Sequence, residues 1–309
     1  MTPTNNPEIF HISFHIFQFF HLSFGPRRMN DTSPDQSSSE RFRNLHESGC
    51  FVLPNPWDAG SAVYLQHLGF AALATTSAGF AFSRALPDSV AAVSRGLMLA
   101  HISEIVEATP LPVNADFQTG YADEPEGVAA NVTLCVATGV AGLSIEDASG
   151  NRDSPLYEFG LAVERIKAAR AAIDASGVPV VLTARCEAWL VGQPDPARVA
   201  IERLVAFAEA GADCLYAPGV RDPDEIATIV RAVSPKPVNV LVSRFNSELT
   251  VSRLADLGVR RISVGSALAC VAWGAFMRAA KDIAETGSFA AISGAAVFSE
   301  INDLFQKRG

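Results

Sequence analysis

The chain has 309 residues, 49% of them hydrophobic and 18% charged, with a formal net charge of -9. That length and apolar content suffice for one large α/β domain with a substantial core, and the acidic balance argues against nucleic acid or an anionic membrane as the main partner. Five cysteines (Cys50, Cys135, Cys186, Cys214 and Cys270) form no CxxC pair, which reads as reduced thiols in a cytoplasmic protein rather than a disulfide framework.

The first 28 residues differ from the rest. The run IFHISFHIFQFFHLSF is aromatic and His-rich, with no basic residue before it and no A-x-A cleavage pattern after it. It is too interrupted to span a bilayer comfortably and makes a poor signal peptide. Met29 then opens a polar leader, so residues 1–40 are expected to be a disordered N-terminal extension, with Met29 as the physiological start. Residues 41–309 are expected to form a single domain.

From Cys50 onward, strand-like and helix-like segments alternate. The strand-like runs are FVLPN, AALATTS, LPVNAD, AGLSIE, PVVLTAR, DCLYAPG, PVNVLVS and RRISVG, separated by Ala-rich amphipathic stretches that close on Gly or Asp-rich turns. Eight such repeats predict a (β/α)8 TIM barrel. The competing doubly wound sheet lacks a Gly-rich phosphate loop after its first strand. Beyond the barrel, SALACVAWGAFMRAAKDIAETGSF predicts a helix with a Gly break, and FAAISGAAVFSEINDLFQKRG a second helix. Val271, Trp273, Phe276 and Phe289 exceed what one barrel face requires and are expected to pack on a neighbouring subunit.

Catalytic groups of such barrels stand at the C-terminal ends of the strands. Those ends read Asn55–Trp57–Asp58, Ser77–Ala78–Gly79, Asp116, Glu146–Asp147, Arg185–Glu187, Tyr216, Asn239–Ser243 and Gly265–Ser266. Asp116 and Glu146 lie about thirty residues apart, one strand–helix–strand repeat, so both carboxylates emerge at the same end of the sheet. Converging hard oxygens suit a divalent cation such as magnesium. Arg185 suits a carboxylate or phosphate on the substrate, with an ion pair to Glu187 or Glu146 as the structural alternative. None of the six histidines and no lysine occupies a strand end. Histidine acid–base chemistry, histidine-bound zinc and Schiff-base chemistry are thereby disfavoured, and metal-assisted enolate chemistry remains.

The segments PNPWDAGSA, ATTSAGFAFSRALPD, ADFQTGY, IED and TARCEAWL, in this order from about Phe51 to Ser266, resemble the isocitrate lyase/phosphoenolpyruvate mutase superfamily. The resemblance implies a (β/α)8 barrel whose eighth helix is exchanged between subunits of a homodimer or homotetramer. It implies magnesium, with manganese as the substitute ion, and a small anionic 2-oxo or 2-hydroxy acid processed through a pyruvate-type enolate. Transferred by motif, Asp116 looks like the direct metal ligand and Glu146 like the holder of metal-bound water. Gln118 stands where many members have a second Asp. Ser77, Ala78 and Gly79 resemble a backbone cradle for the substrate carboxylate. Asp88 matches an acidic residue near the metal, and Arg185 the arginine that clamps the anionic end. Trp57 and Asn239, at the first and seventh strand ends, complete the expected substrate contacts.

One departure bears on the reaction. Lyases that this pattern resembles carry a K-[KR]-C-G-type motif in the loop after the IED strand, whereas here the loop reads DASGNRDSPLYEFG, without Cys or Lys. Tyr157, Asp153 or Arg152 would have to reach over the site instead, and Tyr157 is the candidate catalytic residue among them. Decarboxylation of an oxaloacetate-like acid makes the smallest demand on that loop. Carbon–carbon cleavage of a substituted malate or methylisocitrate follows, then phosphorus–carbon chemistry on phosphonopyruvate, and last a non-catalytic metabolite-binding barrel.

Overall fold

The computed structural model describes residues 36–89 and 91–306. The chain begins with α1 (Ser38–Leu45), β1 (Phe51–Leu53), α2 (Ala59–His67), β2 (Leu73–Ala74), α3 (Ser77–Ser83), α4 (Arg95–Ala108) and β3 (Val113–Asp116). It continues through α5 (Pro125–Val136), β4 (Gly142–Glu146), α6 (Phe159–Ser176), β5 (Val181–Arg185), α7 (Pro196–Glu209) and β6 (Cys214–Tyr216). The rest is α8 (Pro223–Val233), β7 (Val238–Leu241), α9 (Val251–Asp256), β8 (Arg261–Ser263), α10 (Ala267–Thr286) and α11 (Phe298–Gln306). Every strand falls within one of the eight runs read from the sequence. The strands pair in parallel in the order β1-β8-β7-β6-β5-β4-β3-β2, which makes a nearly closed (β/α)8 barrel.

The gap between β1 and β2 is closed by single bonds rather than a ladder. Ala74 donates its N–H to Pro54 O at 3.0 Å. Asn55, just past β1, donates Nδ2–H to Thr75 O at 2.9 Å while its Oδ1 accepts the N–H groups of Val264 and Gly265. One buried side chain thus ties the ends of β8, β1 and β2 together, satisfying backbone groups that would otherwise be orphaned.

Strand alternation divides the barrel into two environments. In GLSIE of β4 and VLTAR of β5, Leu143, Ile145, Leu182 and Ala184 pack under the helices in the main core. Their neighbours Ser144, Glu146, Thr183 and Arg185 are polar, and Ser144 and Arg185 line the barrel mouth. Phe42 of α1, wholly buried, packs with Leu53 and Ala74 and with Val181 and Cys214, the first residues of β5 and β6, as an apolar plug. A polar lumen therefore stands on an apolar floor.

Two boundaries differ from the sequence reading. The extension expected over residues 1–40 lies outside the described residues as far as residue 35, as do His11, His15 and His21. Helix α1, however, starts at Ser38 with a reciprocal Ser37–Glu40 capping box, because a Ser-x-x-Glu pattern satisfies two free N–H groups at a helix start. At the other end, α10 runs unbroken through Gly274 and stops at Gly287, whose φ of 70° ends it in the left-handed region. A lone Gly lowers helix propensity by about 1 kcal/mol, too little to break a 20-residue helix. The segment after it splits into a short 3-10 turn, Ala290–Gly294, and α11. No helix among the described residues is long and apolar enough to cross a membrane.

Two histidines link this packing to acid stability. His101 of α4 is buried, stacked on Phe80 at 3.9 Å, with both ring nitrogens unpartnered. Burial, and then Arg84, lower its pKa from 6.5 to about 4. His46 is lowered to about 3 by burial and then by Arg261. Both rings are neutral in the fold and protonate near 6.5 once unfolded. Their contribution is complete above pH 6.5 and declines as the unfolded chain takes up protons between 6.5 and 4. It is lost below the folded values. Between pH 7.5 and 5 the urea-unfolding stability of His101→Phe should fall by about 2 kcal/mol less than that of the unaltered protein, a comparison that cancels the opposite effect of Glu146, raised to about 8. An equal pH response in the two proteins would contradict the assignment.

Candidate active site

A cavity of about 410 Å3 opens at the C-terminal ends of the strands, and its walls include Ser77, Ala78, Asp88, Asp116, Arg185 and Tyr216. Register places Arg185, the last residue of β5, level with Glu146 of β4 and Tyr216 of β6. Its Nη1 donates to Asp116 Oδ1 at 2.8 Å, and its Nε and Nη2 reach Glu187 Oε1 at 2.9 and 2.8 Å. Nη2 also lies 3.2 Å from Glu146 Oε2, and the guanidinium sits 5.0 Å from the centre of the Tyr216 ring. Burial alone would lower the Arg185 pKa, but Glu187, Glu146 and Asp116 hold it well above the ordinary value.

The carboxylates outnumber this cation. Burial pushes Glu146 up to about 8, against the pull of Arg185 and with the added repulsion of Glu187, Asp116 and Asp88. Glu187 is raised in the same way, by burial first. Asp88 stands at the rim, solvent-exposed by area, yet enough protein surrounds its carboxyl to raise its pKa, with the Asp116 charge adding to the effect. Four carboxyl groups around one guanidinium leave a deficit of positive charge. That donor chemistry fits a divalent oxygen-seeking cation. Among the described residues no three acidic, His or Cys side chains converge as a ready-made cage. A magnesium-type ion, which keeps several waters, requires only one or two direct carboxylates.

The structure brings Asp116, Glu146, Arg185, Asp88, Ser77, Ala78 and Asn239 to this one mouth and places the other candidates elsewhere. Ser77–Gly79 is not a free cradle but the first turn of α3. Ser77 donates its N–H and hydroxyl to Asp116 Oδ2 at 2.9 and 2.8 Å, and Gly79 donates its N–H to the capping Thr76 Oγ1. Two of the three expected carboxylate donors are thus already occupied. Gly79 itself is packed: a Cβ there would lie 2.7 Å from Thr76 and 3.2 Å from Trp57. Trp57 does not line the cavity and serves as packing against α3. Gln118 does not line it either. Its backbone O accepts the Glu146 N–H at 2.9 Å, while its buried Oε1 has no donor.

Tyr157 is the clearest correction. Its hydroxyl donates to Asp123 Oδ1 at 2.6 Å, and Arg165 stacks on its ring at 4.0 Å. Arg165 also donates to the carbonyls of Thr119, Ala122 and Asp123. The loop after β4 folds into a tight hairpin with an Ala148–Leu156 bridge. Tyr157 therefore fastens two loops together and contributes no wall to the cavity. Asp147 likewise turns away, accepting from the Glu187 N–H and Arg203.

Sequence reasoning missed Asn114, Ser144, Arg244 and Arg261, all of which line the cavity. The signal was available for three of them. Asn114 and Asp116, Ser144 and Glu146, Arg261 and Ser263 are polar pairs two residues apart, the period of one strand face.

Residues 42–284 match the phosphoenolpyruvate phosphomutase family model. A crystal structure from Burkholderia cenocepacia J2315, provisionally described as a lyase/mutase, superposes with a TM-score of 0.83 at 48% identity, covering 87% of this chain and 95% of that one. An uncharacterized protein of Mycobacterium tuberculosis is 36% identical over 228 residues, 73% of this chain and 81% of its own length. An oxaloacetate decarboxylase of Chromohalobacter salexigens is 32% identical over 232 residues, 72% of this chain and 77% of its own length. The strand-end motifs, the eightfold barrel and the match across its whole length agree: this chain belongs to the phosphoenolpyruvate phosphomutase family, within the isocitrate lyase/phosphoenolpyruvate mutase superfamily of lyases.

Proposed function

We propose that this protein is a divalent-cation-dependent carbon–carbon lyase for small 2-oxo or 2-hydroxy acids, working through a pyruvate-type enolate, with decarboxylation of an oxaloacetate-like acid as its reaction. The observation that carries this reading is the surplus of carboxylates around Asp116 in a cavity whose lining includes no thiol, imidazole or amine. Without those groups, covalent catalysis through cysteine or lysine has no residue to perform it. The likeness to an oxaloacetate decarboxylase supports the same choice.

Asp116 would hold the cation directly, with Glu146, which shares Arg185 with it, acting on its water. Magnesium or manganese bound there would stabilise the negative charge that develops on the substrate's 2-oxo oxygen. The protein's own groups do the rest. Arg185 holds Asp116 and Glu146 in place through its ion pairs. Leu190 and Leu241 supply apolar wall against water. Asp88, at the rim with its pKa raised by burial and then by Asp116, is the group we assign to deliver a proton to the carbon that the departing carboxylate leaves.

A lactate dehydrogenase-coupled assay for pyruvate, with magnesium, tests this on oxaloacetate, methylisocitrate, dimethylmalate and phosphonopyruvate. Oxaloacetate should turn over, and Asp116→Ala should reduce the rate by roughly 100-fold or more. Turnover of a substituted malate alone would replace decarboxylation by cleavage of a longer carbon skeleton. Silence on all four, with no magnesium-dependent thermal shift, would exclude the enzymatic reading.

A homo-oligomer belongs to the same proposal. On α10 only Ala269 is buried, while Val271 (70% exposed) and Phe276 (61%), and Phe289 (67%) beyond the helix, are exposed. An apolar groove of about 470 Å3 runs beside them, lined by Phe82, Leu86, Trp273 and Met277. Continuous apolar surface of this kind marks an interface, here one with a second copy. Sedimentation at micromolar concentration should return at least a dimer, and a monomer would sink this part.

A further inference from the structure

Among the described residues, four arginines are buried or nearly so around the barrel, and three have evident employment. Arg185 faces three carboxylates, Arg203 pairs with Asp147, and Arg165 is spent on loop carbonyls and the Tyr157 ring. Arg261, at the start of β8, is different. It is only 2% exposed, lines the cavity, and makes no ion pair.

Its side chain crosses the lumen. Nε donates to Asn239 Oδ1 at 2.9 Å, Nη2 to Thr183 Oγ1 at 2.9 Å, and Nη1 to His46 Nε2 at 3.3 Å. All three partners are neutral. His46 cannot supply a counter-charge: its Nδ1 meets Phe42 O at 2.8 Å, which makes Nδ1 the protonated nitrogen and leaves Nε2 as the acceptor. Of the five N–H groups of a guanidinium, three are engaged and two remain. A buried cation without a counter-ion is strongly unfavourable, and the cavity is where an anion can reach it. Arg185, by contrast, already directs four of its five N–H groups at carboxylates.

We propose that Arg261 is a specificity-determining anion contact deep in the cavity, where the second carboxylate of a dicarboxylic substrate settles on its two free N–H groups beside Asn239. The inference rests on reading the cavity as a site for small carboxylic acids and adds the residue that selects for two charges over one. A monocarboxylate leaves the Arg261 charge uncompensated and binds less well. A charge-assisted contact of this kind corresponds to roughly 10- to 100-fold in affinity.

Calorimetric titration in magnesium separates the possibilities, using 3,3-difluorooxaloacetate as the two-carboxylate probe and pyruvate as the one-carboxylate probe. The unaltered protein should bind the difluoro acid at least about tenfold more tightly than pyruvate. Arg261→Met should abolish that preference and leave pyruvate affinity within about twofold, while Arg261→Lys should retain part of it. Equal affinities in the unaltered protein, a comparison that needs no variant to fold, would overturn the subsite. So would an equal loss of both acids in a folded Arg261→Met. In either case magnesium-dependent pyruvate binding abolished by Asp116→Ala would leave the proposed function standing. Failure of both acids to bind the unaltered protein would remove that function and this inference together.

Discussion

The mouth of the barrel depends on one guanidinium holding apart carboxylates that would otherwise repel each other. Arg185 bonds to Asp116 and Glu187 and pairs with Glu146, and these acids come from three successive strand ends. Remove the cation and several buried negative charges share a low-dielectric space, a situation that protonation or a bound metal must relieve. Glu146 is driven up to about 8, by burial first and then by Glu187, Asp116 and Asp88, against the pull of Arg185. The site is thus built with an appetite for positive charge, and this electrostatic constraint rather than any single reactive side chain gives it chemical character.

That arrangement is possible because the barrel interior is polar where most barrel interiors are filled with branched aliphatic residues. In β4 and β5, Leu143, Ile145, Leu182 and Ala184 belong to the main core. The inward positions carry Asn, Ser, Thr, Asp, Glu and Arg, satisfied largely by one another. Phe42 on α1 then seals the far end, so the stabilising burial and the functional polarity occupy different layers. Arg261 sits between them, touching α1 through His46 and the cavity directly.

The contrast between Tyr157 and Arg261 shows where reading a linear chain fails. Tyr157 follows the IED strand in a segment that could have closed over the mouth, but Asp123 and Arg165, which hold it away, come from the loop after β3 and from α6. Nothing local in DASGNRDSPLYEFG indicates those partners. Arg261 stands in a two-residue alternation with Ser263 that was readable, yet its importance lies in what it lacks, a carboxylate partner, and only the folded neighbourhood defines a lack. Ser77–Gly79 belongs to the same class: the motif was visible, but whether its N–H groups were free depended on Thr76 capping the helix and on Asp116 arriving from the next strand.

By itself the sequence determined the eight strands, their parallel order and the acidic identity of the strand ends, because strand period, helix-closing glycines and chain-order neighbours are local properties. Asp116, Glu146 and Arg185 could be assigned to one mouth for the same reason: consecutive parallel strands must end on the same side. Tertiary structure alone decided which of the polar side chains meet, how many carboxylates share Arg185, which donors are already spent, and that Arg261 is buried without a counter-ion. Those outcomes depend on distances between groups up to 215 residues apart, and electrostatic energies are set by such distances and by burial, not by order along the chain.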